Sequence, residues 1–369
     1  MKIVADDRIP FLRGVFEPFA RVTYLPGKQI SPADIVDADA LIVRTRTRCD
    51  RALLQGSAVR FVATATIGFD HISVNDLQDL GIEWSNAPGC NAVSVKNYIA
   101  SALAAMDMPL AGKTMGIVGV GHVGSRVAKV AEAFGMNVLL NDPPRAEKEG
   151  TAGFVPLDEV LAKSDIVTLH VPLESGGKYP TVNLADREFF RKMRSGAWFF
   201  NSCRGEAVDR NAFLCAAAAG KLGGALMDVW PGEPDMGQEL IDAVRFGTPH
   251  IAGYSADGKA NGTSAAVRYI AGKLGISELL NWKAAGIPDP VFSKDIDLAG
   301  VTSVDSALRS AVLHAYDIRR DAEALRNDPG AFEALRGSYW VRREFSAYTV
   351  HNAPAQAEKA LRMLDFNIG

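Results

Sequence analysis

The pattern of hydrophobic and polar positions over the first hundred residues alternates short apolar runs with amphipathic stretches. Four of the runs have the length and composition of β-strands, and they cover residues 2–6, 40–45, 61–66 and 82–86. Strands that alternate with helices are typical of a parallel sheet covered by helices on both faces. The spacing then becomes helical over residues 91–106, which predicts a long helix leading into a second unit.

The second unit begins with the apolar run MGIVGV, which has the character of a buried strand. After it, apolar residues recur at helical spacing up to Phe134, and the next strand, NVLLND, ends at Asp142. Three more strands are predicted over residues 165–173, 197–202 and 223–230. Helices are predicted over residues 184–193, 209–220 and 258–276. This repeated alternation predicts an α/β fold with a second parallel sheet.

The composition is that of an ordinary globular protein, with 48% apolar and 22% charged residues among 369. A formal net charge of −3 gives no reason to expect nucleic acid or a membrane surface as a partner. The four cysteines form no CxxC pair, which argues against a disulfide framework or a zinc knuckle. The N-terminus lacks the length of a signal peptide, and no apolar run is long enough for a membrane span. We therefore expect a cytoplasmic protein without a metal site.

The motif GVGHVG follows a strand and opens a helix, which is the setting of a dinucleotide-binding loop. Gly119 permits the tight turn, Gly121 lets the backbone approach a pyrophosphate, and Gly124 allows the helix to pack closely on the strand. The start of the helix, near His122 and Val123, offers free N–H groups to phosphate. The alternative is that these glycines serve only a turn.

An acidic residue at the end of the next strand supports the nucleotide hypothesis. Asp142 lies 18 residues beyond Gly124, where a carboxylate would accept hydrogen bonds from the adenosine ribose hydroxyls. Its charge would repel a 2′-phosphate, which favours NAD over NADP. Arg145 nearby is a mild signal in the opposite direction.

Hydride transfer from an alcohol also requires a base, and histidine suits this role near neutral pH. Of the six histidines, only His250 follows the last strand-like segment of the second unit and enters a loop of small residues. Ligands bind where such parallel strands end. The alternative, a structural histidine at a strand end, stays open from this stretch alone.

Two other strand ends supply groups that suit such a base. MDVWPGEPD ends a strand with Asp228 and then offers Glu233, a carboxylate that could fix the tautomer of a histidine. FFNSCRGEAVD ends another strand with Arg204, a bidentate clamp for a carboxylate. Singly, Glu233 could be a solvated turn residue and Arg204 a surface ion pair. Together with the glycine loop they predict a dehydrogenase site.

The ordered set GIVGVGHVGSRVA, NSCRGEAVD, DVWPGEP and TPHIAGY resembles the D-isomer-specific 2-hydroxyacid dehydrogenases. The resemblance implies that Arg204 orients the substrate, Glu233 is the partner of the histidine, and His250 is the proton donor and acceptor. In addition to the motif glycines Gly119, Gly121 and Gly124, it implies NAD as the cofactor with contacts at His122, Val123, Asp142, Val171, Ser202, Cys203, Arg204, Asp228 and Gly253. Val171 stands where the family has threonine, so it has no hydroxyl to offer NAD.

Substrate contacts are implied at Thr45, Thr66 and Tyr254. The stretch VRTRTRCD adds Arg44, which with the two following arginines would line one face if this segment were extended. Such a face could bind a second anionic group of the substrate. The alternative is an edge strand whose charged side chains prevent it from pairing with strands of other molecules.

The resemblance extends to a branch of the family that carries an extra C-terminal module, through stretches such as YDIRRD and VRREFS. It implies a Rossmann NAD-binding domain over residues 99–263 and a flavodoxin-like, discontinuous substrate domain over residues 1–98 and 264–285. Residues 286–369 would form a small α+β dimerisation domain, which makes the protein a homodimer.

The branch implies NAD-dependent oxidation of a small phosphorylated 2-hydroxy acid. Two alternatives stay open from the sequence. One is a dehydrogenase for an unphosphorylated acid such as glycerate or lactate, because it would share every catalytic residue. The other is a non-enzymatic NAD-sensing module, which the intact set of Arg204, Glu233 and His250 disfavours.

Overall fold

A computed structural model describes all residues from 1 to 369. The strands are, in chain order, β1 Lys2–Asp6, β2 Arg21–Leu25, β3 Ala40–Val43, β4 Phe61–Thr64, β5 Glu83–Ser85, β6 Thr114–Val118, β7 Asn137–Asn141, β8 Ile166–Leu169, β9 Ala197–Asn201, β10 Leu222–Met227, β11 Phe246–Gly247, β12 Asp295–Asp297, β13 Thr349–His351 and β14 Asn367–Ile368. The α-helices are α1 Pro32–Ile35, α2 Arg51–Leu54, α3 Val74–Asp79, α4 Ala92–Ala104, α5 Gly124–Ala133, α6 Pro143–Glu149, α7 Leu157–Lys163, α8 Arg187–Lys192, α9 Arg210–Ala218, α10 Gln238–Asp242, α11 Ala256–Leu274, α12 Val304–Ala315, α13 Ile318–Asn327, α14 Phe332–Gly337 and α15 Ala355–Met363.

The chain divides into two compact units. The first unit consists of Met1–Asn91 and Ser255–Pro288, and the second of Ala92–Tyr254 and Asp289–Gly369. The α/β class predicted from the sequence is confirmed. The division into three domains stays a prediction, since the C-terminal module here belongs to the same compact unit as the glycine motif.

The first unit is built on a five-stranded parallel sheet with the order β2-β1-β3-β4-β5, which is the flavodoxin-like order. Successive side chains of β1 point to opposite faces, so Ile3 packs under α11 while Val4 packs against the side of α1 and α2. Strand β2 was not predicted, because its residues are half-buried or exposed and lack a clear apolar run.

The second unit contains a six-stranded parallel sheet with the order β11-β10-β9-β8-β6-β7. Strand β6 comes first in the chain and has β7 on one side and β8 on the other. The direction in which the chain adds strands therefore reverses beside β6, and ligands of doubly wound sheets bind at the carboxyl ends of the strands at such a point.

The C-terminal module of the second unit has a small parallel sheet with the order β12-β13-β14, together with helices α12 to α15. Its apolar side chains, such as Val312 and Leu361, share one hydrophobic core with Leu103 of α4 and Val130 of α5. The module is thus packed onto the helices beside the glycine motif and shares their core.

Candidate active site

The glycine turn between β6 and α5 has a distinct steric requirement at each glycine. Gly119 has a φ of +87°, and a Cβ atom there would lie 2.6 Å from the carbonyl oxygen of His170. A Cβ atom on Gly124 would lie 2.0 Å from the carbonyl oxygen of Gly119. A Cβ atom on Gly121 would meet no atom within 4 Å, so this glycine faces open space. The protein alone therefore requires Gly119 and Gly124, whereas Gly121 leaves room for a ligand.

Asp142 follows β7 and supports the glycine turn directly. Its Oδ2 accepts a hydrogen bond from the Val120 N–H at 2.8 Å, and its Oδ1 accepts one from the Arg145 N–H at 3.1 Å. The guanidinium of Arg145 is paired with Glu149 one helical turn later. The positive charge of Arg145 therefore already faces a carboxylate. This weakens the argument that Arg145 would bind the 2′-phosphate of NADP.

The turn after β9 is shaped by the side chain of Asn201. Its Nδ2 donates to the Arg204 carbonyl at 2.9 Å, and its Oδ1 accepts from the Cys203 N–H at 3.1 Å. Ser202 between them has a buried hydroxyl without a hydrogen-bond partner. Most buried hydroxyls have a partner, so this one is an exception in the turn.

Cys203 in the same turn is chemically inert. Burial raises the pKa of its thiol to about 11, and backbone hydrogen bonds from Arg204 and Val171 lower it only in part. The thiol is therefore protonated at neutral pH and is a poor nucleophile. Val171 itself is half-buried and, as an aliphatic residue, offers no hydroxyl to a ligand.

Arg204 lies beside the segment that carries Glu233. The neighbouring Gly205 packs so tightly that a Cβ atom on it would lie 2.1 Å from the carbonyl oxygen of Trp230. The side chain of Arg204 is half-buried, and its Nη1 donates to the Cys203 carbonyl at 2.8 Å. The turns after β9 and β10 are thus in backbone contact, which places Arg204 next to the turn of Glu233.

Glu233 and His250 form a direct hydrogen bond, with 2.6 Å between Oε1 and Nδ1. The other carboxylate oxygen of Glu233 accepts from the Trp230 N–H at 3.1 Å. Burial raises the pKa of Glu233, but the hydrogen bonds from His250 and the Trp230 N–H together with the charges of His250 and Arg336 outweigh it, so the pKa lies below its ordinary value. With Nδ1 as donor to this carboxylate, Nε2 of His250 is the nitrogen left to accept a proton.

The backbone of His250 is in the left-handed region, with a φ of +55°. This conformation is uncommon for residues other than glycine, and the surrounding bonds must hold it. Asp228, which is 1% exposed, accepts hydrogen bonds on its carboxylate from the Thr248 hydroxyl and from the Ile251 and Ala252 N–H groups. Its own carbonyl accepts the His250 N–H at 2.8 Å. The buried Asp228 therefore fixes the His250 loop, residues 248–254.

The other predicted residues of the second unit lie along the same edge of the sheet. His122 is exposed and Val123 half-buried in the glycine turn. Gly253 and Tyr254 are half-buried in the His250 loop, and Tyr254 also contacts a residue of the C-terminal module, since its hydroxyl accepts a bond of 3.4 Å from Arg336. The roles expected for these residues towards NAD and substrate stay predictions.

In the first unit, Thr66 donates to the Gly68 carbonyl at 2.8 Å, while Thr45 is exposed in a turn. Arg44 pairs with the fully buried Asp6, with both contacts at 3.2 Å. The expectation that the arginines of VRTRTRCD share one extended face is wrong, because the chain turns at Thr45 and Arg46 just after β3. The ion pair with Asp6 at the end of β1 holds the Arg44 side chain.

Some residues that shape the site were missed in the sequence. The Tyr98 hydroxyl lies 2.6 Å from the Thr248 hydroxyl, which in turn donates to Asp228. Tyr98 and Thr248 are 150 positions apart, so no local pattern could have paired them. No group of three or more His, Cys, Asp or Glu side chains is placed to hold a metal ion. None of the helices combines the length and the apolar character that crossing a lipid bilayer requires.

Comparison with known families agrees with this arrangement. Residues 91–252 match the model of the D-isomer specific 2-hydroxyacid dehydrogenase, NAD binding domain. Residues 288–364 match a model described as a domain of unknown function, DUF3410. The chain belongs to the D-isomer-specific 2-hydroxyacid dehydrogenase family.

Relatives within the family share a particular name. A Bacteroides fragilis protein named erythronate-4-phosphate dehydrogenase is 48% identical over 355 residues, which cover 95% of this chain and 99% of that protein. An Escherichia coli protein of the same name is 40% identical and covers 100% of this chain and 98% of its own length. The similarity therefore includes the C-terminal module.

Solved structures share the fold over a smaller part of the chain. A Thermus thermophilus protein, TT0316, is 27% identical with a TM-score of 0.62, covering 74% of this chain and 97% of its own. A 3-phosphoglycerate dehydrogenase from Entamoeba histolytica with bound NAD⁺ is 23% identical with a TM-score of 0.64, covering 78% of this chain and 99% of its own. At that identity the second likeness shows the fold alone.

Proposed function

We propose that the chain is an NAD-dependent dehydrogenase that oxidises 4-phospho-D-erythronate to 3-hydroxy-2-oxo-4-phosphooxybutanoate. The names of relatives that match over nearly the whole chain support this substrate. The observation that carries the chemistry is the hydrogen bond of 2.6 Å between Glu233 and His250. The reaction belongs to the biosynthesis of pyridoxal 5′-phosphate, the active form of vitamin B6 (pyridoxine).

The second unit fits NAD at the carboxyl edge of its sheet. The open space at Gly121 and the start of α5 would receive the pyrophosphate, and Asp142 has lone pairs left for the ribose hydroxyls. The unpartnered hydroxyl of Ser202 would gain a partner from the cofactor. When bound, NAD supplies the acceptor for the hydride that leaves C2 of the substrate.

His250 then acts as the general base. Its Nε2 takes the proton of the C2 hydroxyl as the C2–H bond breaks and the carbonyl forms. The ionised carboxylate of Glu233 holds Nδ1–H, which fixes the tautomer and stabilises the imidazolium that results. In the reverse direction the same nitrogen returns the proton to the carbonyl oxygen.

Arg204 is proposed to orient the substrate, because a guanidinium binds a carboxylate through two parallel hydrogen bonds. Tyr254 is proposed to contact the substrate from the His250 loop. Contacts from Thr45 and Thr66 stay predictions from the family resemblance, and a contact from Arg44 stays a prediction from the basic stretch VRTRTRCD.

The decisive experiment follows the absorbance of reduced nicotinamide with purified protein, NAD and 4-phosphoerythronate. We expect turnover with this substrate and much slower turnover with erythronate, glycerate or lactate. Faster turnover of an unphosphorylated acid would assign a different substrate. Tight NAD binding without turnover of any 2-hydroxy acid would instead indicate a sensing module.

We also propose that the protein is a homodimer formed through its C-terminal module and that it works in the cytoplasm. The dimer proposal rests on the resemblance of residues 286–369 to the family's dimerisation domain. Sedimentation velocity of the full chain over a range of concentrations tests it. A mass of one chain at all concentrations would contradict the dimer.

A further inference from the structure

The His250 loop is held from two sides. Asp228 binds the N–H groups of Ile251 and Ala252, at 2.7 Å and 2.8 Å. The carbonyl groups of the same two residues accept hydrogen bonds from Nη2 of Arg342, at 3.2 Å and 2.5 Å. Four backbone groups that directly follow His250 are therefore bound by two charged side chains.

Arg342 belongs to the C-terminal module and is 1% exposed. Its guanidinium carbon lies 4.5 Å from the centroid of the Tyr316 ring. Both Tyr316 and Tyr339 donate their hydroxyl groups to Asp321, which supplies a nearby negative charge. Nη1 of Arg342 is buried and has no hydrogen-bond partner.

A buried guanidinium is a weak device for stability alone, because the loss of hydration is large and an apolar residue often serves as well. Arg342 binds the residues next to His250, whose left-handed backbone has to be held in place. A displacement of about 1 Å at a reacting group can lower a rate by roughly 10²-fold. The geometry of His250 therefore depends on anything that fixes the following peptide planes.

We propose that Arg342 is a positioning residue, through which the C-terminal module holds His250 in its reactive orientation. This inference rests on the proposed role of His250 as the base. It gives the module a part in catalysis within its own chain, in addition to the proposed part in dimerisation.

Arg309 provides a matched control from the same module. Its guanidinium also donates to backbone carbonyls of the second unit, those of Ala104, Met106 and Met108 at 2.9, 2.7 and 2.8 Å. These carbonyls lie at and just after the end of α4, away from the His250 loop. R309M thus removes the same kind of contact between module and unit without touching the loop.

The test compares R342M, R342K and R309M in the full chain. We expect R342M to lower kcat by about 10- to 100-fold and to change the Kd for NAD much less, because His250 is the single proposed base whereas Gly253 is one of many expected NAD contacts. R342K keeps a charged donor and should recover most of kcat. R309M should leave kcat within about twofold of the wild type, as expected for a contact outside the reacting groups. Equal kcat losses in R342M and R309M would overturn the proposal.

A second measurement does not depend on the substrate. Hydrogen–deuterium exchange of the peptide covering residues 248–254 should become faster in R342M and stay unchanged in R309M, because local opening is resisted by local bonds. Equal exchange in both variants overturns the positioning role, whereas absence of turnover in the wild type overturns only the proposed function. If R342M does not fold, R342Q against R309Q gives the same comparison, since glutamine is too short to reach both carbonyls.

Discussion

The glycine turn after β6 and the His250 loop after β11 lie at the same edge of one sheet, but different forces hold them. The turn requires glycines for steric reasons, since Gly124 packs against the Gly119 carbonyl and Gly119 packs against the His170 carbonyl. The loop is held by Asp228, which precedes it, and by Arg342, which comes from the far end of the chain. Local sterics produce a motif that can be recognised, whereas long-range polar contacts leave no local pattern. Substitutions should therefore affect the two regions differently.

The largest effect is expected at His250. H250A should lower kcat by about 10²-fold or more, because the general base is lost, while NAD still binds. H250N is the matched variant, since asparagine tolerates the left-handed backbone but cannot act as a base. Steady-state rates and NAD titration of both variants provide the measurement. Wild-type turnover in either variant would remove His250 from the base role.

The next largest effect separates two glycines of the turn. G124A should lower the free energy of unfolding by about 1–3 kcal/mol, because its Cβ atom would overlap a backbone carbonyl. G121A should leave stability nearly unchanged but weaken NAD binding, because its Cβ atom would fill the space left for the pyrophosphate. Urea unfolding and NAD titration test the pair. Equal stability of G124A and G121A would show that the turn is more plastic than its geometry indicates.

A smaller effect is expected at Asp142. D142A removes the carboxylate proposed for the ribose hydroxyls, so the preference for NAD over NADP should fall by about tenfold. It also removes the acceptor for the Val120 N–H, and part of the loss will appear as weaker binding of both nucleotides. The ratio of kcat/KM values for NAD and NADP gives the readout. A ratio equal to that of the wild type would exclude the ribose role.

The pH dependence of stability also distinguishes the two regions, and this is the prediction with the smallest effect at neutral pH. Burial lowers the pKa of His170, whose carbonyl faces Gly119, from 6.5 to about 3. The unfolded chain binds this proton first, so stability falls as the pH drops from 6.5 towards 3. The pKa of Glu233 is lowered from 4.5, so its contribution is complete above pH 4.5 and is lost only below it.

H170Q should therefore flatten the pH dependence of urea unfolding between pH 6.5 and 4.5, by at most about 1.4 kcal/mol for each pH unit. E233Q should flatten it only below pH 4.5. If H170Q and the wild type lost stability in parallel over the upper range, His170 would not be the buried neutral group described here.

Much of the fold could be predicted from the sequence. The strands around the glycine motif are buried apolar runs, so periodicity identified β6 to β10 within a few residues. Strand β11 was missed because it has only two residues, too few for a recognisable pattern. It is a strand because it pairs with β10. The pairing of Glu233 with His250 was expected from their places at successive strand ends, and the two side chains are indeed hydrogen-bonded.

The support of the loop could not be predicted. Arg342 and Arg343 are adjacent in an irregular, charge-rich stretch, yet only Arg342 is fully buried. Which arginine turns inward is decided by carbonyl groups some ninety positions earlier in the chain. Likewise, the segment after β3 offered an extended basic face in the sequence, but the buried Asp6 and a turn determine where Arg44 lies.

The single core shared by the C-terminal module and α4 and α5 limits how this protein can be divided. A chain truncated before β12 would expose the apolar side chains of α4 and α5 to water, and its aggregation would obscure any measurement of subunit mass. The module and the adjoining sheet should melt in one cooperative transition. A functional dissection therefore has to proceed by point substitution in the intact polypeptide.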